Sequence, residues 1–275
     1  MIEKVKLMLE DRLLDLTVPS SDDGKRFVIT KRLDRIVQFL ADSEYECFGD
    51  RPLAKIYRRR DFQSAHPFVL VSNHMDSLYK SYFSCLREGV FHGTFDNSAS
   101  NAVAIEMMLT NPLPAQVLIT FTGDEESRSK GAVQTVEFLK TIGIFDRLEM
   151  AITLDLTEES YGEADSTVEN YFVRKNHHSA LLRFTRKRDL KDYLKKILGS
   201  PVFVKDAEED ESWMYDEYDL NCFSLCLPCR PLEGDMHSDA GVTFTEDSIE
   251  FYMKTLGRLT EAIVSDLRSD PGIHN

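Results

Sequence analysis

Phe68-Val69-Leu70-Val71, opened by Pro67 and followed directly by Ser72-Asn73-His74-Met75-Asp76, is the stretch from which the fold is read. The apolar run is short, unbroken and largely β-branched, the pattern of a strand buried on both faces. Val117-Leu118-Ile119-Thr120-Phe121 repeats it and runs into Thr122-Gly123-Asp124-Glu125-Glu126. Met150-Ala151-Ile152-Thr153-Leu154 repeats it again and ends in Asp155. Helical segments fall between these strands. One runs from about Asn97 to Leu109, with Ala102, Val103, Ile105 and Met108 as its apolar content, and Asn111-Pro112 stops it. Another runs from Ala132 to Ile142, with Gly143 at C′.

The pattern extends in both directions. Downstream, Tyr171-Phe172-Val173 and Phe223-Ser224-Leu225-Cys226-Leu227 read as strands, with a helix between them ending at Gly199. A last helix spans about Glu246 to Leu267, capped by Thr245, with Glu246 and Asp247 at the positive end of its dipole. Upstream, Ile2, Val5, Leu9 and Leu13 share a helical face that ends at the turn cluster Pro19 to Gly24. A second helix follows, with Leu33, Ile36, Val37 and Leu40 on one side. Alternating strands and helices predict an α/β fold with a largely parallel sheet covered on both faces. No repeat, linker or low-complexity tract divides the chain, so residues 1–275 are expected to form one catalytic domain.

Bulk properties exclude several functions. The net charge of −14 argues against a phosphate-backbone partner. The basic run Arg183 to Lys196 is interrupted by Leu190, Tyr193 and Leu194 at helical spacing, which predicts a solvated helix face. Five cysteines, Cys47, Cys85, Cys222, Cys226 and Cys229, form no disulfide framework, and Cys226-x-x-Cys229 has no second pair to complete a four-thiolate zinc site. Charged residues open the chain and no apolar run approaches the roughly 20 residues of a membrane helix. The expectation is a soluble, cytoplasmic protein with neither a nucleic-acid nor a membrane partner.

The chemistry lies where the polar residues fall. His74 and Asp76 follow the first strand, Glu125 and Glu126 the second, and Asp155 ends the third. Asp96 precedes the helix between the first two strands, and Asp235-Met236-His237-Ser238-Asp239 lies in a loop after the last strand. Ligands of open α/β sheets bind beyond the carboxyl ends of strands, so these segments can converge on one rim. His74, Asp96, Glu126, Asp155 and His237 offer the imidazole and carboxylate donors that zinc accepts. Five donors exceed one open tetrahedral site and suit two ions sharing a carboxylate. Glu125, next to a candidate ligand, is placed to act as general base and then acid, and Asp76 to fix the ring of His74.

Four segments, Asn73-His74-Met75-Asp76, Gly93-Thr94-Phe95-Asp96-Asn97, Gly123-Asp124-Glu125-Glu126 and Met236-His237-Ser238, resemble the metal-site motifs of the co-catalytic zinc exopeptidases, peptidase clan MH. Glu125-Glu126 followed by Gly131-Ala132 matches the spacing of its single-domain aminopeptidases. Leu227-Pro228-Cys229-Arg230 ahead of His237 is similar to the glutamyl-aminopeptidase-like pattern, and the resemblance spans roughly residues 67 to 245. It implies a three-layer α/β/α fold, zinc-exopeptidase-like, with a central mixed, mostly parallel sheet. It implies that Asp96 bridges two zinc ions, one also held by His74 and Asp155, the other by Glu126 and His237. Glu125 is then the catalytic carboxylate, Asp76 holds His74, and the Asp96–Asn97 peptide is cis. Manganese or cobalt could replace zinc. Two departures stand out. Arg128 replaces a family glycine, and the short interval from His74 to Asp96 leaves no room for a lid or dimerisation insertion.

The expected activity is aminopeptidase hydrolysis of N-terminal peptide bonds. The alternatives are a zinc carboxypeptidase, with Arg230 as the cation for a substrate carboxylate, an amidase or deacylase on a small acyl-amino-acid substrate, or an inactive binding protein of the same fold. A homo-oligomer is admitted. The acidic run Asp206 to Asp219, with Trp213, Tyr215 and Tyr218, reads as a solvated loop with aromatic anchors rather than as a cleft wall. Surface or structural roles are expected for His66, His92 and His177-His178, and His274 lies in the tail.

Overall fold

The computed structural model describes residues 2–19, 30–164, 166–176, 180–199, 201–204 and 207–269; for residues 2–8 and 30 it describes the backbone alone. Two helices, α1 (Ile2–Leu16) and α2 (Thr30–Leu40), precede a hairpin of β1 (Tyr45–Arg51) and β2 (Ala54–Arg59). The quoted stretch is β3 (Phe68–His74). Two short strands follow, β4 (Ser84–Arg87) and β5 (Val90–Gly93), then α3 (Ser98–Thr110), β6 (Val117–Thr122), the single turn α4 (Glu125–Arg128) and α5 (Lys130–Thr141). The chain continues through β7 (Leu148–Thr157), β8 (Thr167–Phe172), α6 (Lys187–Leu198), β9 (Val202–Phe203) and α7 (Glu211–Glu217). It closes with β10 (Cys222–Pro228), β11 (Arg230–Pro231), β12 (Val242–Thr245) and α8 (Glu246–Ser269).

Eight strands form one sheet in the order β1-β2-β6-β3-β7-β10-β8-β9. Its centre, β6-β3-β7-β10, is parallel, and antiparallel neighbours flank it at β2 and β8. The predicted mixed, mostly parallel sheet is therefore present. Alternation along the strands sorts side chains onto two faces. Val69, Val71, Ile119 and Ile152 join the core beneath α3 and α8, whereas Phe68, Leu70 and Leu118 join Ala132, Val136 and Leu139 of α5. Helices α5 and α7 pack on that second face. Continuous apolar strands are what a sheet buried on both sides requires.

The hairpin β1–β2 and a second sheet, β11-β12-β5-β4, have no counterpart in the sequence reading. Their strands are short or carry charged residues, so periodicity does not reveal them. Two strands of the second sheet, β4 and β5, come from the interval between His74 and Asp96, and the other two, β11 and β12, from the segment before α8. Thr245 caps α8 as expected, accepting the Ser248 amide at 3.0 Å. The apolar side expected of α2 is only partly right: Ile36 and Leu40 are buried, but Val37 is 41% exposed and the fully buried neighbour is Arg32. The turn cluster at Pro19 to Gly24 lies, beyond Pro19, outside the described residues, as do His177-His178 and His274.

Two glycines bring the segments that carry the site into contact. A Cβ on Gly131 would lie 2.5 Å from the Leu53 carbonyl and 2.6 Å from the Gly123 amide, so α5 can begin against the end of β6 only without one. Gly241, at φ +80, would place a Cβ 2.4 Å from the Gly93 carbonyl, where β12 begins beside β5. Gly131→Ala should cost about 1–3 kcal/mol through overpacking against backbone. Denaturant unfolding checks this, and a midpoint equal to the parent's would refute the close-approach account.

Candidate metal centre

Strand register brings the first donors to one height. His74 is level with Thr122 of β6, and Asn73 with Leu154 of β7, so His74, the Gly123–Glu126 turn and Asp155 emerge together. The small sheet delivers the other two. Gly93 pairs with Val242, so Asp96, three residues after Gly93, and His237, five before Val242, leave from one paired position. All five candidate ligands gather there. His74 Nε2 lies 3.3 Å from Asp96 Oδ1 and 3.5 Å from Asp155 Oδ1. His237 Nε2 lies 3.5 Å from the other Asp96 oxygen, Oδ2.

Two overlapping donor sets result. His74, Asp96 and Asp155 form one, and Asp96, Glu126 and His237 the other, each with one donor atom per residue within 4.8 Å of the rest. Asp96 belongs to both and turns a different oxygen toward each imidazole. A third set, His74 with Glu125 and Glu126, lies on the same floor. His74 Nδ1, Asp96 Oδ1 and Glu126 Oε1 are buried without a hydrogen-bond partner. Buried polar atoms are normally satisfied, and the unpaired oxygens of Asp96 and Glu126 belong to residues of one donor set, where a divalent cation would satisfy them, whereas His74 Nδ1 faces Asp76 and Glu125. Nitrogen and carboxylate donors without thiolate fit zinc in an open, catalytic arrangement.

Local bonding fixes these side chains. Asn97 Nδ2 donates to the Leu154 carbonyl at 2.7 Å, beside Asp155. Asn101, one helical turn on, donates to the carbonyls of His74 at 2.8 Å and Asn97 at 2.7 Å. Sequence reasoning missed both asparagines. The available signal was a pair of amides at i and i+4 opening a helix whose first turns are otherwise small or apolar. The Asp96–Asn97 peptide is cis. Asp76 sits 3.8 Å from His74 Nδ1, beyond hydrogen-bond length. Its oxygens instead accept the amides of Glu125 at 3.3 Å and Glu126 at 3.2 Å, which pins the turn after β6 to the end of β3. Asp124 and Ser129 bracket α4 in left-handed backbone, with Arg128 inside that helical turn.

Burial is the largest influence on these groups and disfavours charge. It pushes the Glu125 carboxyl well above the carboxylate range and raises Asp155. Burial, with Asp96 adding to it, raises Glu126 to about 9. Burial alone would lower His74, but the carboxylates of Glu125 and Asp155 hold its pKa well above that of free imidazole. Asp96 is buried as well, yet its close contact with the His74 imidazole and the charge of His237 keep it below the usual range.

The cluster forms the floor of a cavity of about 690 Å³. Glu158, Glu159, Glu169, Glu208, Glu209, Asp210 and Glu217 line its walls with Trp213 and Met214. Among the described lining residues Arg128 is the one arginine or lysine. This corrects the reading of Asp206 to Asp219 as a solvated loop: Asp210 accepts the Ser212 amide at 2.8 Å, caps α7, and puts that helix at the cleft. Asp206 lies outside the described residues. Tyr215 does not face the cavity; it is fully buried, with its hydroxyl donating to Ser72 Oγ at 2.9 Å. Arg230 is exposed on β11 and is not among the lining residues. His66 lines a separate cavity beside Gln116 and Leu267, and His92 lies on β5, so neither joins the cluster. All five cysteines are free.

No protein-family model matches the sequence, and no curated protein matches it. Solved structures do. The chain is similar to the aminopeptidase APDkam598 from the archaeon Desulfurococcus kamchatkensis, at TM-score 0.66 and 11% identity over 98% of each chain. It is similar to aminopeptidase PepT from Bacillus cereus, at TM-score 0.67 and 9% identity over 94% of this chain and 99% of that one. The TET1 peptidase of Pyrococcus horikoshii aligns at TM-score 0.65 and 13% identity over 92% of this chain and 99% of its own. The chain therefore has the mixed-sheet α/β fold that these aminopeptidases share.

Proposed function

We propose that this chain is a metal-dependent exopeptidase, an aminopeptidase that binds two divalent cations, with zinc the expected metal. The observation that carries the reading is the pair of donor sets sharing Asp96 on the floor of an acidic cavity. The fold shared with aminopeptidases supports it. His74 and Asp155 would hold one cation, Glu126 and His237 the other, and Asp96 both. Manganese and cobalt suit the same carboxylate-rich set. A pair of such cations, when bound, supplies Lewis acidity and makes water easier to ionise.

The residues of the chain do the rest. Glu125, beside Glu126 and 4.0 Å from His74 Nδ1, faces the cavity and would take the proton of the attacking water. It would then return that proton to the leaving amine, as base and then acid. Asp76 keeps Glu125 in reach by holding its amide. The wall carboxylates attract a substrate ammonium group, and with Arg128 as the one arginine or lysine among the described lining residues they repel a free carboxylate. That charge balance favours the aminopeptidase over the carboxypeptidase alternative, whose candidate Arg230 stands apart from the cavity. An acylated amino acid, the substrate of the amidase alternative, would present the same unfavourable carboxylate. A cytoplasmic setting belongs to this proposal; no helix among the described residues is long and apolar enough to cross a membrane.

Metal uptake should release protons. The Glu126 carboxyl, raised by burial to about 9, is protonated in the metal-free protein at neutral pH and must ionise to bind. Affinity should therefore rise with pH and fall on acidification. Calorimetric zinc titrations in buffers of different ionisation enthalpy read the release, and no buffer dependence would contradict it. Glu125→Gln should retain metal and lose about 10²–10⁴-fold in turnover; a near-parental rate with full metal content would remove Glu125 from its role. Across a panel of aminoacyl amides, neutral and basic residues should be cleaved faster than Asp or Glu. Faster cleavage of acyl-amino acids with a free carboxylate would transfer the assignment to the carboxypeptidase or deacylase reading.

A further inference from the structure

The five candidate ligands are not held equally. His74, Asp96 and Asp155 expose 3%, 3% and 16% of their side chains, whereas His237 exposes 30% and stands in the loop joining β11 to β12. A ligand on a loop must be ordered at an entropic cost unless something else holds the loop. Here one short segment holds it on both sides of the histidine, alongside Glu158, whose carboxylate accepts the Met236 amide. The Tyr79 hydroxyl donates to the carbonyl of Met236, the residue before His237, at 2.6 Å. The same oxygen accepts the amide of Asp96 at 3.4 Å. The next two amides, of Lys80 and Ser81, donate to Asp239 Oδ1 at 2.6 and 3.3 Å, two residues beyond His237.

We propose that Tyr79 and Asp239 are positioning residues for the second cation: the 79–81 segment latches the His237 loop to Asp96 and so sets the affinity of the Asp96–Glu126–His237 set. The idea rests on the two-cation reading above. Tyr79 can do this because it is itself fixed. It is 4% exposed, and its ring meets Tyr82 edge-on at 6.2 Å. The segment starts five residues after His74, so the strand that carries a ligand of the first set also anchors a ligand of the second. One phenol oxygen thereby ties the shared carboxylate's backbone to the histidine's. Second-layer partners of this kind commonly change metal affinity by about 10–100-fold.

Tyr79→Phe keeps the ring and deletes only the hydroxyl, and Asp239→Ala removes an exposed acceptor from the surface. The experiment titrates zinc into metal-stripped parent and variants against a chromogenic chelator, with unfolding midpoints measured in EDTA. The expected result is that each variant keeps the parental midpoint and the parental first equivalent, while the second equivalent binds about 10–100-fold more weakly. Two equivalents bound as tightly as in the parent would overturn the latch. Equal weakening of both equivalents would also overturn it, because the effect would not be specific to the His237 set. Should Tyr79→Phe lower the midpoint, Asp239→Ala decides by the same readout. A parent that takes up fewer than two equivalents overturns the two-cation reading itself and the latch with it, an outcome distinct from failure of the variants alone.

Discussion

Carboxylates crowd a buried floor with too little positive charge around them, and the rest of the site depends on that imbalance. Asp96, Glu125, Glu126 and Asp155 meet at the carboxyl ends of parallel strands, facing two imidazoles. Ionised groups withdrawn from water are costly unless paired or bound to metal. The chain leaves these groups only partly paired, with Asp96 and Glu126 each presenting a buried oxygen that makes no hydrogen bond, although Asp96 Oδ1 lies 3.3 Å from His74 Nε2. Such a floor is unfavourable as a structural feature and favourable as a cation site. The same charge extends up the cavity walls and defines what the cleft admits.

Two sheets cooperate to build that floor. The large sheet supplies His74, Asp155 and the Glu125–Glu126 turn, because the register of three parallel strands sets His74, Thr122 and Asp155 at one level. The small sheet supplies Asp96 and His237 from neighbouring strands β5 and β12. Phe91, Val242 and Phe244 of the small sheet share an apolar core with Val69, Val71 and Ile152 of the large one, and a few buried bonds position the site segments. Asn97 and Asn101 join the Asp96 turn to β7 and β3, Asp76 joins β3 to the turn after β6, and Tyr79 joins Asp96 to the His237 loop. Each is a side-chain bond to backbone, which fixes where a segment lies and leaves the donor atoms of the candidate ligands free to face inward.

Arg32 illustrates how charge of the opposite sign is accommodated. It is fully buried on α2, and burial lowers its pKa, yet it donates Nε to the Val18 carbonyl at 2.9 Å and Nη1 to the Met75 carbonyl at 2.8 Å. Met75 lies between His74 and Asp76, so the guanidinium supports the backbone of the first motif from beneath. A charged helical residue thus faces the core, and Val37, which periodicity assigns to the core, faces solvent. The exchange follows from a backbone carbonyl that needs a donor in the interior.

The sequence by itself determined the parallel centre of the sheet, the strand ends that carry His74 and Glu125–Glu126, and the residue types at Asp96, Asp155 and His237, although β7 runs on past Asp155 to Thr157. Those follow from unbroken apolar runs and from side-chain chemistry, both local properties. Only the tertiary structure decided that β1, β2 and the small sheet exist, that α7 is a helix at the cleft, and that Tyr79, Asn97 and Asn101 hold the segments together. These depend on pairings between residues far apart in the chain. A short strand bearing charged side chains, or a tyrosine in a loop, carries no periodic signal of the partner it will meet. The meeting of Asp96 with both imidazoles is likewise a product of register, which linear spacing along the chain does not contain.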